Sequence, residues 1–146
     1  MDKYIGTKII HAEEQMKDNK EGYKVVYADG YESWSPKDVF EDAYRRCDNM
    51  TFGLAIEALK RGYKVARKGW NGKRMYLYMV NGTVVDKDNL RNEAYKVLPN
   101  DAQAMHDTDT AVFLPHIDMR TANGDICVGW LASQTDMLSD DWVIIE

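Results

Sequence analysis

The sequence predicts an α+β fold: a small antiparallel sheet of hairpins with a helix packed on it, plus a small N-terminal β-hairpin and helix module. Two kinds of signal carry that expectation. Stretches alternating aromatic with aliphatic residues are punctuated by Asp29-Gly30, Asn81-Gly82 and Asn123-Gly124, which mark tight turns between strands. Two other stretches place apolar residues at helical spacing just after a capping residue, at Ser35-Pro36 and at Thr51. With 45% hydrophobic and 11% aromatic residues, the chain of 146 has ample material for a core.

In chain order, Tyr4–Ile10 is rich in β-formers and reads as a strand, and Asp18–Gly22 reads as a polar loop. Tyr23–Tyr27, the turn Ala28-Asp29-Gly30 and Tyr31–Trp34 form a hairpin. Ser35 is the expected N-cap of a helix with Pro36 in its first position and Val39, Phe40, Ala43 and Tyr44 on its apolar stripe. This gives a module over residues 1–47, with a polar junction at Cys47-Asp48-Asn49 and a second domain over 50–146. There, Thr51 caps a helix whose apolar face is Phe52, Ala55, Ile56 and Leu59 and whose C-terminal stop is Gly62. Tyr63–Arg67 is a strand, and Met75–Val80, Asn81-Gly82 and Thr83–Val85 read as strand, turn, strand. Asp88-Asn89 caps a helix over Leu90–Leu98 that Pro99-Asn100-Asp101 breaks. Ala111–Arg120 is one strand entered through a proline bend, paired back by Ile126–Trp130, and Trp142–Ile145 is a terminal strand.

Composition excludes several classes. A pI near 5.2 argues against binding polymeric nucleic acid, which relies on broad phosphate neutralisation. No apolar run approaches the roughly 20 residues that span a bilayer, and the N-terminus lacks signal-peptide features, so a cytosolic protein with no membrane partner is expected. Cys47 and Cys127 have neither disulfide-framework nor zinc spacing and read as buried thiols. No metal site and no cofactor motif is expected.

One stretch breaks the acidic background. Seven cations and no anion lie between Lys60 and Arg74, in a chain of formal charge −5, so the rest of the chain carries −12. A positive patch in an acidic protein calls for an anionic partner. Within it, Arg67-Lys68-Gly69-Trp70-Asn71-Gly72-Lys73 frames an indole with glycines, whose turns can turn backbone N–H groups toward phosphate oxygens. Trp70 could stack on a base; equally it could anchor the core while the lysines solvate a face. Ser133-Gln134-Thr135-Asp136, after Gly129-Trp130, offers neutral hydrogen-bonders suited to ribose hydroxyls or base edges, and equally a capped turn.

No catalytic residue is expected. His116 and Asp118 share a strand face and are the acid/base candidates for a nucleotide hydrolase, but a histidine fixed by a hydrogen bond at a strand entry is the more ordinary reading. Ser133 lacks a neighbouring base and glycine framing.

The segments MTFGLAIEALKRGYKVARKGWNGKRMYLY and LPHIDMRTANGDICVGWLASQTDMLSDDW closely resemble the Thoeris anti-defence protein two family of phages. The resemblance implies a non-enzymatic sponge in the host cytoplasm. It would bind cyclic ADP-ribose isomers made by TIR-domain enzymes and hold them intact; some relatives also take cyclic dinucleotides or trinucleotides at a second site. It also implies a homotetramer with ligand pockets between protomers. In that arrangement the basic loop of one protomer is expected to face the 133–136 turn of another. A hydrolase of the same signal, and a phage factor that covers a host enzyme, are the alternatives.

Overall fold

The computed structural model describes residues 1–70, 74–97 and 109–146, and among these it has the α+β architecture that the turn and cap signals predict. Strands β1 (His11–Lys17), β2 (Lys20–Val26) and β3 (Glu32–Pro36) form an antiparallel meander, followed by helix α1 (Lys37–Ala43). The Asp29-Gly30 turn is where the sequence places it, with Gly30 at φ 85°. Tyr4–Ile10 is not a strand. Its first β-formers, Tyr4 and Ile5, are exposed and only Ile9 and Ile10 are partly buried, and β-propensity without burial decides little. The first strand instead begins at His11 and turns at Asp18-Asn19, two left-handed residues that make a two-residue hairpin where a loop is expected.

Across this sheet the Trp34 indole lies against Gly22, where a Cβ would sit 2.4 Å from the ring, and its N–H donates to the Gln15 carbonyl at 3.1 Å. Only glycine admits that crossing. Ser35 stays in β3 and Pro36 takes the N-cap position without a side-chain bond, since a residue before proline is held extended. Phe40 of α1 stacks on Tyr23 at 4.1 Å and on Tyr44 at 4.9 Å between ring centres. Both cysteines are exposed, contrary to the buried thiols expected. Cys47 sits in the connector after α1, and Cys127 in an edge strand of two residues.

The connector is stitched to the end of the chain: the Ile144 amide donates to the Cys47 carbonyl, and Met50 and Trp142 exchange backbone bonds of 2.8 and 3.1 Å. Helix α2 (Phe52–Lys60) follows. Thr51 caps it, accepting from the Leu54 amide, and Gly62 at φ 88° ends it, both as its sequence predicts. Strands β4 (Lys64–Arg67), β5 (Tyr76–Val80), β8 (His116–Arg120), β9 (Ile126–Cys127) and β10 (Trp142–Ile145) make an antiparallel sheet in the order β10-β4-β5-β8-β9. Ala55, Ala58 and Leu59 of α2 pack on its Val65, Leu77 and Trp142. Burying each large apolar side chain there contributes roughly 1.5–3 kcal/mol.

The strand before Asn81-Gly82 and the strand after it do not pair. β6 (Thr83–Asp86) instead forms a separate two-stranded ribbon with β7 (Thr110–Phe113). Gly82 serves close approach and not a hairpin: a Cβ there would sit 2.8 Å from the Phe113 carbonyl and 3.0 Å from Pro115. Leu114-Pro115 likewise divides the single strand expected over 111–120 into β7 and β8, which lie in different sheets. A short 3-10 turn, Lys87–Asn89, precedes helix α3 (Asn92–Val97), shorter than the expected span, whose proposed break at 99–101 lies outside the described residues. Helix α4 (Gln134–Met137) completes the set. Among the described residues no helix is long and apolar enough to cross a membrane.

Candidate functional site

β4 delivers Arg67 to the end of the sheet opposite Trp142 of β10, beside the segment that leads into that last strand. Its guanidinium is held from two directions. Nε donates to Asp141 Oδ1 at 2.9 Å and Nη1 to Asp136 Oδ1 at 2.8 Å, with the Arg67 side chain only 13% exposed. The Gly69 amide adds a bond to Asp141 Oδ2 at 2.9 Å, so the turn after β4 closes on the same carboxylate.

Asp136 is the hub. Its Oδ1 also accepts from the Trp70 indole N–H at 3.3 Å, and its Oδ2 from the Ser133 hydroxyl at 2.7 Å and amide at 3.1 Å. Its own amide donates back to Ser133 Oγ, completing a reciprocal capping box at the start of α4, and its carbonyl accepts from the buried Trp142 indole at 2.9 Å. The 133–136 stretch is therefore a capped turn, one of the two readings the sequence left open. Three indoles meet beside it edge to face, Trp70 lying 5.5 Å from Trp142 and 6.2 Å from Trp130, and Trp130 6.1 Å from Trp142.

The electrostatics follow from these bonds. Burial pushes the Asp136 carboxyl up, but Arg67, Ser133 and the Trp70 indole together outweigh it and hold it down at about 2. Arg67, then the Gly69 amide, lowers Asp141 against a smaller cost of burial; Asp141 first and Asp136 second raise Arg67. Because the folded Asp136 pKa lies below its ordinary value, the folded state binds fewer protons than the unfolded chain between the two values. Its contribution, about 2 kcal/mol, is complete above about pH 4 and is lost as pH falls through about 2. Urea melts across that window should show the loss in the parent protein and a flatter profile in Asp136→Asn.

The positive patch is balanced in part within the chain. Arg67 is paired with Asp136 and Asp141, Lys60 with Glu57 at 2.8 Å, Lys64 reaches the Glu146 carbonyl at 3.2 Å, and Arg61 reaches the Thr7 carbonyl. Carboxylates within the chain thus account for Arg67 and Lys60, while the neutral carbonyls orient Lys64 and Arg61 and leave their charge in place. Lys68 is exposed, with its amide bonded to the Asp141 carbonyl. Of the expected site residues, Arg67, Trp70, Trp130, Ser133 and Asp136 come together, while the Gln134 and Thr135 side chains stay exposed at the rim. Asn71, Gly72 and Lys73 lie outside the described residues. The loop and the 133–136 turn meet inside one chain, so Trp70 and Asp136 belong to one wall and not to facing walls of two protomers.

Sequence reasoning missed Asp141 and the central place of Trp142. The surplus of −12 outside the patch was the available signal, since seven clustered cations in so acidic a chain have carboxylates within reach. His116 and Asp118 do form a pair, 3.5 Å apart. His116 Nδ1 lies 2.8 Å from the Leu114 carbonyl, which can only accept, and the buried Asp118 accepts from the Gly129 amide at 2.9 Å. Both groups are tied to backbone, the ordinary structural arrangement. Burial first, and then Asp118 across the strand pair, raises the Tyr78 phenol.

The described residues thus form a small sheet-and-helix domain with an arginine held by two carboxylates beside three indoles. The Tad2-like family model, described as the Thoeris anti-defense 2-like domain, matches residues 50–145. A protein of Bacillus phage SP01, "Thoeris anti-defense 2", is 35% identical over 97 residues, which are 66% of this chain and 96% of that relative. The chain belongs to the Thoeris anti-defense 2-like (Tad2-like) family.

Proposed function

We propose that this chain counters Thoeris-type antiviral defence as a phage-encoded sponge in the host cytoplasm, binding cyclic ADP-ribose isomers made by TIR-domain enzymes and holding them intact. The observation that carries the reading is the family match over residues 50–145, together with the name of the SP01 relative. Cyclic dinucleotides or trinucleotides are further ligands of the same kind. The ligand wall consists of the exposed Lys68, the Trp70–Trp130 corner, and Gln134 and Thr135, and Asn71, Gly72 and Lys73, which follow Trp70 in sequence, are proposed to bind the same ligand. Arg67, Ser133 and Asp136 act mainly by fixing that wall, since their polar groups are largely committed to each other.

The chain acts as a homotetramer with pockets between protomers. Supporting this, the stretch beside the wall exposes Ile126, Val128, Leu131 and Leu138, the last three by 70% or more, a run of apolar surface suited to a partner copy. The assembled protein, given excess cyclic ADP-ribose isomer, should saturate without accumulating linear product, and sedimentation should show a tetramer. Continuing turnover would make it a hydrolase, and a monomer binding with full affinity would remove the shared pocket.

A further inference from the structure

We infer a second ligand pocket, for a small amphiphilic anion, where the N-terminal segment and the connector after α1 meet α2 and β10. The ligand class is a single phosphate or carboxylate on an apolar or aromatic body. The cavity measures about 300 Å³, at the small end of ligand sites, which run roughly 300–1,000 Å³. Its floor is apolar, formed by Ile9, Met50, Leu54, Ala58 and Ile144, with Tyr44 as an aromatic wall.

The rim is what selects an anion. Lys8, Arg45 and Arg61 line the cavity from three different segments, against one carboxylate among the described residues, Glu57, which already accepts from Lys60 at 2.8 Å. Among the described residues none of the three cations is bonded to a carboxylate. Arg61 donates to the Thr7 carbonyl at 3.0 Å, Arg45 to the carbonyls of Tyr44 at 3.0 Å and of Glu41, and Lys8 lies 5.2 Å from the centre of the Tyr27 ring. Neutral acceptors and a ring orient these side chains without cancelling their charge. Lys24, Lys37, Arg46, Lys60 and Arg67, by contrast, are each spent on Asp or Glu. Three cations against the single carboxylate Glu57, around an apolar floor in a chain of formal charge −5, form a local site for a charged head with an apolar body.

The pocket does not rest on the sequestration reading. Lys8, Ile9, Tyr44 and Arg45 precede residue 50, where the family match begins, and the Arg67–Asp136 cluster contributes nothing to the lining.

Phenyl phosphate titrated into the full chain, followed by amide resonances, tests the proposal. The amides of Thr7, Lys8, Tyr44, Arg45 and Arg61 should shift saturably, with affinity falling as salt rises, while neutral benzyl alcohol should give only a weak response. Lys8→Gln and Arg61→Gln should each weaken binding roughly tenfold, the scale of one hydrogen bond to a charged group. Arg61→Lys should fall between, keeping the charge and losing the fork. Arg61→Gln also removes the tether to Thr7, so Lys8→Gln, which leaves that tether intact, is the cleaner variant. The proposal is overturned if no saturable shift occurs up to about 5 mM, well past a ~1 mM single-site affinity. It is equally overturned if benzyl alcohol binds as well, or if the shifts fall only around Lys68 and Trp70.

Discussion

Trp142→Ala should lower the free energy of unfolding by about 4–5 kcal/mol, the upper end for truncating a buried tryptophan. Since domains of this size are stable by only about 5–15 kcal/mol, the variant should be largely unfolded or marginally folded at 37 °C. Trp142 is fully buried, and its ring meets Phe52 at 5.3 Å, Trp70 at 5.5 Å and Trp130 at 6.1 Å. Its backbone holds Met50 at the start of the matched domain, and its indole N–H holds the Asp136 carbonyl. One substitution therefore empties the core and releases the capped turn of the candidate wall. Trp142→Phe keeps an aromatic ring but loses the bond to Asp136, and should cost clearly less. Urea unfolding followed by tryptophan fluorescence separates the two; equal, small losses in both would contradict the central place given to this residue.

Asp136→Ala is the second large effect, at about 3–5 kcal/mol, because it strands a mostly buried guanidinium group and an indole N–H and opens the capping box at Ser133. Arg67 keeps Asp141, which moderates the loss. Replacing both charges at once, Arg67→Met with Asp136→Leu, should cost less than the sum of the single changes, since no unpaired charge is left behind. A double-mutant cycle by chemical denaturation measures that coupling. Additive losses would mean that the 2.8 Å pair contributes little.

The elements legible in the sequence are those governed by local chemistry. Thr51 and Gly62 bound α2 because a capping oxygen and a left-handed glycine are demands of the helix itself, and Asp29-Gly30 sets its turn in the same way. What escaped was set at long range. β1 is exposed along its whole length, so HAEEQMK carries no alternating pattern to read. Its partner turn was nonetheless visible in Asp18-Asn19, residue types that tolerate the left-handed region. Asn81-Gly82 has the composition of a hairpin, yet β5 is claimed by β4 and β8, and Gly82 is required by a neighbour some thirty residues on. In the candidate site, Trp70, Trp130 and the 133–136 turn were singled out by residue type, but their meeting within one chain was not legible, and the internal partners of Arg67 lie about seventy residues away. A local count of charges cannot reveal where their counterions sit.

The sequestration account is tested most directly by purifying the protein from cells that express an active TIR-domain signalling enzyme, heating it to unfold the chain, and weighing the released small molecules by mass spectrometry. The account predicts an intact cyclic ADP-ribose isomer, present in a fixed ratio to the protein and absent when the signalling enzyme is inactive. Recovery of linear ADP-ribose, or of no nucleotide at all while the protein still protects phage, would contradict it.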